Sequence, residues 1–308
     1  MPVIINGALP AKSILEEENI FVMTAGRAIA QEIRPLNIGI LNLMPNKEET
    51  ELQLLRLIGN TPLQVEVSFL RTASYSGTHT SETHLDSFYT TLDEVKRENK
   101  KFDGFIITGA PVEKLDFSDV KYWDELKDIM DWAEENVYST FYICWAAQAA
   151  MYYFYNVQKR EFPKKISGVF LHETLKQSHP LMRNFDDYFY APHSRHTEVI
   201  PSQTNSVEDI EILATSDEAG IFIAASKDGR RVFVFGHAEY DKFTLDKEYK
   251  RDVAAKRGDV EAPAHYYDKD GQPVLNWRAH SSLLFANWLN YFVYQNTPYN
   301  IGEIKKKV

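Results

Sequence analysis

The chain has 308 residues, 44% hydrophobic and 25% charged, a balance that permits one large core and excludes disordered and collagen-like classes. Its formal net charge of -10 argues against a nucleic-acid binder, which would carry a basic stripe. An anionic small molecule is still admissible, because a few local cations or a helix N-terminus suffice for it.

In chain order, the opening MPVIINGALPAKSILEEENIFVM lacks the basic-then-apolar layout of a secretory leader. Four short apolar runs then read as buried strands: 38–43 (IGILNL), 65–70 (VEVSFL), 105–108 (FIIT) and 140–143 (TFYI). Helical stretches are predicted between them at 48–57 and 123–132, and the polar run 72–84 (TASYSGTHTSETH) is predicted to be an exposed loop. Apolar runs without alternation, interleaved with helices, predict a mostly parallel sheet covered on both faces, with ligands beyond the carboxyl ends of its strands. The longest apolar stretch, 141–155, is broken by Gln148 and falls short of the roughly 20 residues a membrane helix needs.

Further on, 210–216, 220–226 and 230–240 lie close together, with Asp228-Gly229 as a two-residue hairpin signal. They predict an antiparallel extension of the sheet. A charged helix over 243–257 follows, with Leu245, Tyr249 and Val253 on one face. An aromatic-rich helix over 277–294 could supply a homodimer interface, and the terminal IKKKV reads as a frayed tail. The expected organisation is an N-terminal extension (1–36), a single α/β domain (37–297) and a C-terminal tail (298–308).

Chemistry enters with the lone cysteine, Cys144, in YICWAAQA (142–149). One thiol cannot close an internal disulfide, so a reducing compartment is expected, and with the leader layout missing and the apolar stretch interrupted the expectation is a cytoplasmic protein with no membrane partner. The thiol sits where an apolar strand gives way to small, helix-prone residues, the layout of a nucleophile elbow. The positive end of the helix would favour the thiolate, and the Trp145 amide would stand where an oxyanion forms. Tyr142 departs from the Gly that many elbows carry there, and a lone Cys in an apolar run is more often core than catalyst.

VFVFGHAEYD tips that balance: it places His237 and Glu239 just past an apolar strand, with the carboxylate two residues on, where an extended chain would aim both side chains the same way. If the strands ending at Cys144 and His237 are parallel neighbours, a Cys–His–acid constellation for acyl transfer results. The remaining histidines carry less. His79 and His84 read as solvated loop residues, and His193 and His196 in PHSRH have ligand-compatible spacing without further ligands. Lys47 follows the first strand on the ligand side, Lys165 and Ser194 sit in irregular stretches and read as surface residues, and Arg251 reads as a solvated ion pair with Glu248 on a helix whose first turns must pack near the rim.

Taken together, FVMTAGRA, RPLNIGILNLMPNK, ITGAP, CWAAQA, APHSRH, GHAEYD and LLFANWLNYFVYQ resemble the homoserine O-acyltransferases of the methionine-pathway succinyltransferase type, over nearly the whole chain. The resemblance implies a flavodoxin-like fold similar to class I glutamine amidotransferases, and ping-pong transfer from an acyl-CoA to the hydroxyl of L-homoserine. It implies Cys144 as nucleophile, His237 as base, Glu239 as supporting acid, and Lys165, Ser194 and Arg251 as substrate-binding residues. Lys47 with the Trp145 amide would complete the oxyanion site. No cofactor or metal is implied beyond acetyl-CoA as co-substrate. Aromatics at Trp145 and 152–155 would keep water from the acyl-enzyme.

The donor turns on Glu113 in ITGAPVEKLDF. Members of the resembling family with Glu there resemble acetyl-CoA users, whereas Gly goes with succinyl-CoA. A carboxylate would repel the free carboxylate of a succinyl group. Acetyl transfer is therefore expected, with succinyl transfer, and less readily glutamine hydrolysis at the same triad, as alternatives.

Overall fold

The structure is a computed structural model that describes residues 3–18, 20, 22–24, 34–74, 80–258 and 260–305. His79, most of FVMTAGRA and the last three residues of the basic tail lie outside them. Among the described residues, twelve strands join one sheet in the order β2-β1-β4-β3-β6-β7-β12-β11-β10-β8-β9, with β5 paired to β4. They are β1 (Val3–Ile4), β2 (Val22–Met23), β3 (Leu36–Leu41), β4 (Val65–Leu70), β5 (Tyr89–Thr90), β6 (Phe102–Ile107), β7 (Val137–Ile143), β8 (Lys159–Thr174), β9 (Tyr188–Val199), β10 (Ile210–Ser216), β11 (Gly220–Ser226) and β12 (Arg231–Val234).

Every pairing from β2 to β12 along that order is parallel, and every pairing beyond β12 is antiparallel. This is the α/β arrangement expected from uninterrupted apolar runs followed by closely spaced ones. The N-terminal stretch is not a mere appendage, since β1 and β2 extend the parallel edge beside β4.

Alternation within the strands sorts the core into two layers. Ile106, Phe141 and Ile143 face one side with Leu54, Leu55, Leu284, Phe285 and Trp288. Phe105, Ile107 and Tyr142 face the other with Leu126, Met130, Trp145 and Met151. Helices Lys47–Ile58 and Arg278–Asn287 thus cover one face, and Trp123–Asn136 and Trp145–Tyr155 the other. At about 25 cal/mol per Å² of apolar surface removed from water, this double cover supplies the main stabilisation of the sheet.

Several expectations change. The run 277–294 continues as a π-helix over Trp288–Tyr294, and Trp288, Leu289, Phe292 and Val293 are buried. Most of its apolar face packs on the sheet, while Tyr294 stays exposed. The run 72–84 is not wholly an exposed loop, because Thr80 is buried and helix Glu82–Phe88 begins there. On that helix His84 is buried against Glu51, at 2.9 Å, rather than solvated. The strand expected over 230–240 stops at Val234. The hairpin before it joins Ser226 to Arg231 through 227–230, with Asp228 Oδ1 accepting from the Ser226 hydroxyl and the Arg230 amide, instead of through the Asp-Gly pair alone.

The largest omission is the β8–β9 hairpin, which holds Lys165 and Ser194, both read as irregular. Charges and Pro163 disguise β8, and Pro192 disguises β9. Proline is tolerated at a sheet edge, and β9 is the last strand of the order. Its register with β8 slips between Glu161 and Ile166, around Pro163. Among the described residues no helix is long and apolar enough to cross a membrane.

Candidate active site

β7 and β12 are parallel neighbours, with Ile143 opposite Val234, so the chain leaves both strands at one rim. The Cys144 amide donates to the Val234 carbonyl at 2.7 Å. Cys144 itself sits at φ 50°, ψ -111°, and caps helix Trp145–Tyr155. A positive φ on a non-glycine residue is strained, and here it turns a strand into a helix within one residue. The thiol faces the layer of Ile143 and Ala238, whereas the next side chain, Trp145, drops into the opposite layer. Room above the sulfur comes from Gly109, just past β6. A Cβ there would stand 3.3 Å from Cys144 Cβ and 3.5 Å from His237 Cε1.

His237 is buried, and its Nδ1 lies 2.7 Å from Glu239 Oε1. The carboxylate fixes the tautomer, Nδ1–H donating to Glu239, which leaves Nε2 for the hydrogen bond to the Cys144 thiol. The route differs from the expected extended chain. A turn closes at Tyr240 N to His237 O, 3.1 Å, and brings Glu239 under the ring. Burial opposes the imidazolium, but the Cys144 sulfur and the Glu239 carboxylate outweigh it and raise the His237 pKa well above its ordinary value. Tyr240 stacks on the imidazole at 4.1 Å, nearly parallel. The aromatics expected to shield the site lie elsewhere: Trp145 packs on Phe117 and Tyr122, and Tyr152 stacks on Phe117.

The remaining candidates form a second shelf. Ser194 donates to Glu248 Oε2 at 2.5 Å, and the Tyr240 hydroxyl donates to Glu248 Oε1 at 2.7 Å. Glu248 therefore serves the site and not Arg251 beside it. Lys165 and Arg251 both converge on Asp252, at 3.1 and 2.9 Å. That carboxyl is held below its ordinary range because the two cations outweigh its burial.

Lys47 is buried, with its ammonium on the carbonyls of Asn42 (2.5 Å) and Met44 (3.4 Å). Burial pulls its pKa down to about 8. Its loop is tied to the end of β6 by Leu43 N to Thr108 Oγ1, 2.8 Å, which brings it beside Gly109 without aiming its amine at the sulfur. Glu113 lines a separate cleft of about 450 Å³ with Lys159, Arg160, Tyr152 and Thr197. Its backbone carbonyl is gripped by Lys159.

Sequence reasoning missed Tyr240, Glu248 and Gly109. Tyr240 lay in plain view next to Glu239, but its stacking depends on the turn. A thiol on a strained elbow, a carboxylate-oriented imidazole and small neighbours are the parts that acyl transfer through a thiol requires.

The fold is shared with glutaminase-type domains. A glutamine amidotransferase of Thermotoga maritima superposes with a TM-score of 0.55 at 11% identity, over 85% of this chain and 100% of that one. The glutaminase domain of Trypanosoma brucei CTPS gives 0.50 at 12%, over 75% and 97%. Closer likeness comes from sequence. The family model described as homoserine O-succinyltransferase matches residues 2–299, and the chain belongs to that family. Relatives named homoserine O-acetyltransferase are 54% identical in Acetivibrio thermocellus (99% of this chain, 100% of the relative) and 55% identical in Shouchella clausii (98% of each).

Proposed function

We propose that this protein is a homoserine O-acetyltransferase, moving acetyl from acetyl-CoA to the hydroxyl of L-homoserine through a thioester on Cys144. The observation that carries the chemistry is the hydrogen-bonded line from Glu239 through His237 to the thiol at a strained elbow. The acetyl and homoserine assignments draw on relatives of that name aligned end to end.

In the first half-reaction the Cys144 thiolate attacks the thioester carbonyl. The oxyanion meets the Trp145 amide at the helix start, with Lys47, whose ammonium here rests on the Asn42 and Met44 carbonyls, as the second donor the resemblance implies. Collapse breaks the carbon–sulfur bond to CoA, and the departing thiolate takes the proton from the His237 imidazolium. In the second, neutral His237 accepts the hydroxyl proton of homoserine while its oxygen attacks the acyl carbon. Collapse then restores the thiolate–imidazolium pair. Glu239 keeps the imidazole oriented and supports its charge in both. The acceptor is bound by Ser194, Lys165 and Arg251, with Arg251 on its carboxylate. Glu113 lines a cleft that no triad residue lines, and its bearing on the donor comes from the resemblance, in which Glu at this position goes with acetyl rather than succinyl.

Incubation with acetyl-CoA alone is expected to add one acetyl group to the protein, seen by mass spectrometry and absent in Cys144→Ala. Comparing kcat/KM for acetyl-CoA and succinyl-CoA tests the donor. Glu113→Gly is expected to move that ratio toward succinyl-CoA, and an unmoved ratio removes Glu113 from the argument.

A further inference from the structure

Segment 192–197 of β9 touches the elements that carry the nucleophile and the base. The Pro192 carbonyl accepts the His237 amide at 2.9 Å. Gly236, just before His237, packs so closely that a Cβ there would meet Pro192 O at 2.7 Å and His193 Cε1 at 3.0 Å. Thr197 bonds Gln148, in the first turn of the helix that Cys144 caps, through its hydroxyl (2.8 Å) and its carbonyl (3.2 Å). Between these ties lies Arg195, only 1% exposed.

A buried cation ordinarily sits against a carboxylate, because an unpaired charge away from water is expensive. Arg195 instead donates to neutral acceptors: His193 Nδ1 at 3.3 Å, Thr197 O at 2.8 Å and Ala219 O. The imidazole stays neutral by construction. With Nδ1 accepting, His193 must carry its proton on Nε2, which faces His172 Nε2 at 2.9 Å, and His172 Nδ1–H donates to Phe170 O at 2.9 Å. Burial depresses both rings, His172 to about 3 and His193 well below its ordinary value. The guanidinium's other close neighbour is the Phe162 ring. Glu198, the nearby acid, gives its Oε1 to Arg160.

We propose that Arg195 is a positioning residue for acyl transfer: a buried cation, in ion-pair contact with no carboxylate among the described residues, held between the elements that carry Cys144 and His237, whose field stabilises the sulfur as the attacking anion. The electrostatic environment of the guanidinium agrees. Burial lowers its pKa, and the anions that resist this are the Cys144 sulfur first and Glu198 second. The inference rests on Cys144 as the nucleophile of the proposed function but is independent of donor and acceptor.

The test is alkylation of the resting enzyme by neutral iodoacetamide and anionic iodoacetate, which needs neither substrate. Arg195→Met and Arg195→Gln are expected to slow iodoacetamide several-fold and to lower the iodoacetate-to-iodoacetamide rate ratio by about five-fold, as loss of a nearby cation requires. Arg195→Lys should keep the ratio, a rescue that loss of packing alone would not produce. An unchanged ratio in a folded neutral variant overturns the proposal. Should neither neutral variant fold, Glu198→Gln serves in their place. Removing the competing anion should raise the ratio, and a ratio that stays or falls overturns it. A wild-type Cys144 inert to both reagents would sink the nucleophile reading as well, whereas a wrong substrate assignment leaves every alkylation result standing.

Discussion

The rim where β7 and β12 end and the shelf formed by β9 with helix Thr244–Ala254 do different work under different rules. On the rim, Cys144, His237 and Glu239 are buried, hydrogen-bonded to one another and fixed by parallel strand register. On the shelf, Ser194, Lys165, Arg251 and Glu248 are tied through carboxylates across elements far apart in sequence, and Arg251 remains largely exposed. Burial makes the rim intolerant of change, because a charge there has no water to fall back on. The shelf can lose one contact and keep its shape. On the proposed mechanism, acyl-enzyme formation belongs to the rim and acceptor capture to the shelf.

The largest expected effect falls on the rim. Cys144→Ala should lower turnover by about 10⁴-fold or more, measured as O-acylhomoserine formed per minute, with no acyl-enzyme by mass. Glu239→Gln comes next. It leaves the imidazole without its carboxylate and should cut kcat on the order of a thousand-fold, in the single-turnover acylation step as well as in steady state. On the shelf, Lys165→Met and Arg251→Met should raise the KM for homoserine by about ten- to a hundred-fold. Acylation by acetyl-CoA in a stopped-flow assay should stay at the wild-type rate. If these variants slow acylation as much as deacylation, the division between rim and shelf fails.

The last effect concerns the pH dependence of stability rather than turnover. His172 has its pKa lowered, chiefly by burial, from 6.5 to about 3, so the unfolded chain binds this proton more tightly than the folded one. The associated stability is complete above about pH 6.5 and is lost as pH falls through that window toward 3. His172→Gln should flatten the fall between pH 7 and pH 4 by on the order of 3 kcal/mol, read from urea midpoints. An identical slope in the variant would place the acid sensitivity elsewhere.

Legibility followed the same divide. Apolar runs located β3, β4, β6, β7, β10 and β11 to within a few residues, since a strand buried on both faces has little choice of composition. They also located the elbow at Cys144 and the strand end before His237. The β8–β9 hairpin stayed hidden, because an edge pair half open to water can carry Pro163, Pro192 and many charges and still hold its ladder. Lys165 and Ser194 were hidden with it, and only the resemblance to known acyltransferases singled them out. The expected link of Arg251 to Glu248 was natural on one helix. In the folded chain Glu248 turns to Ser194 and Tyr240, partners separated from it by 54 and 8 positions.

What the amino-acid order determined by itself was periodicity: which runs must be buried, where a strand must give way to a helix, and that a thiol and a His-x-Glu stand at two such ends. What only the tertiary structure decided was adjacency. Parallel pairing of β7 with β12 set the thiol against the imidazole, a turn rather than an extended chain delivered Glu239, and β9 carried Arg195 into the interior. The physical reason is range. Hydrophobic patterning is written over a few neighbouring residues, whereas the field at a buried sulfur is the sum of charges that only folding brings within a few ångströms.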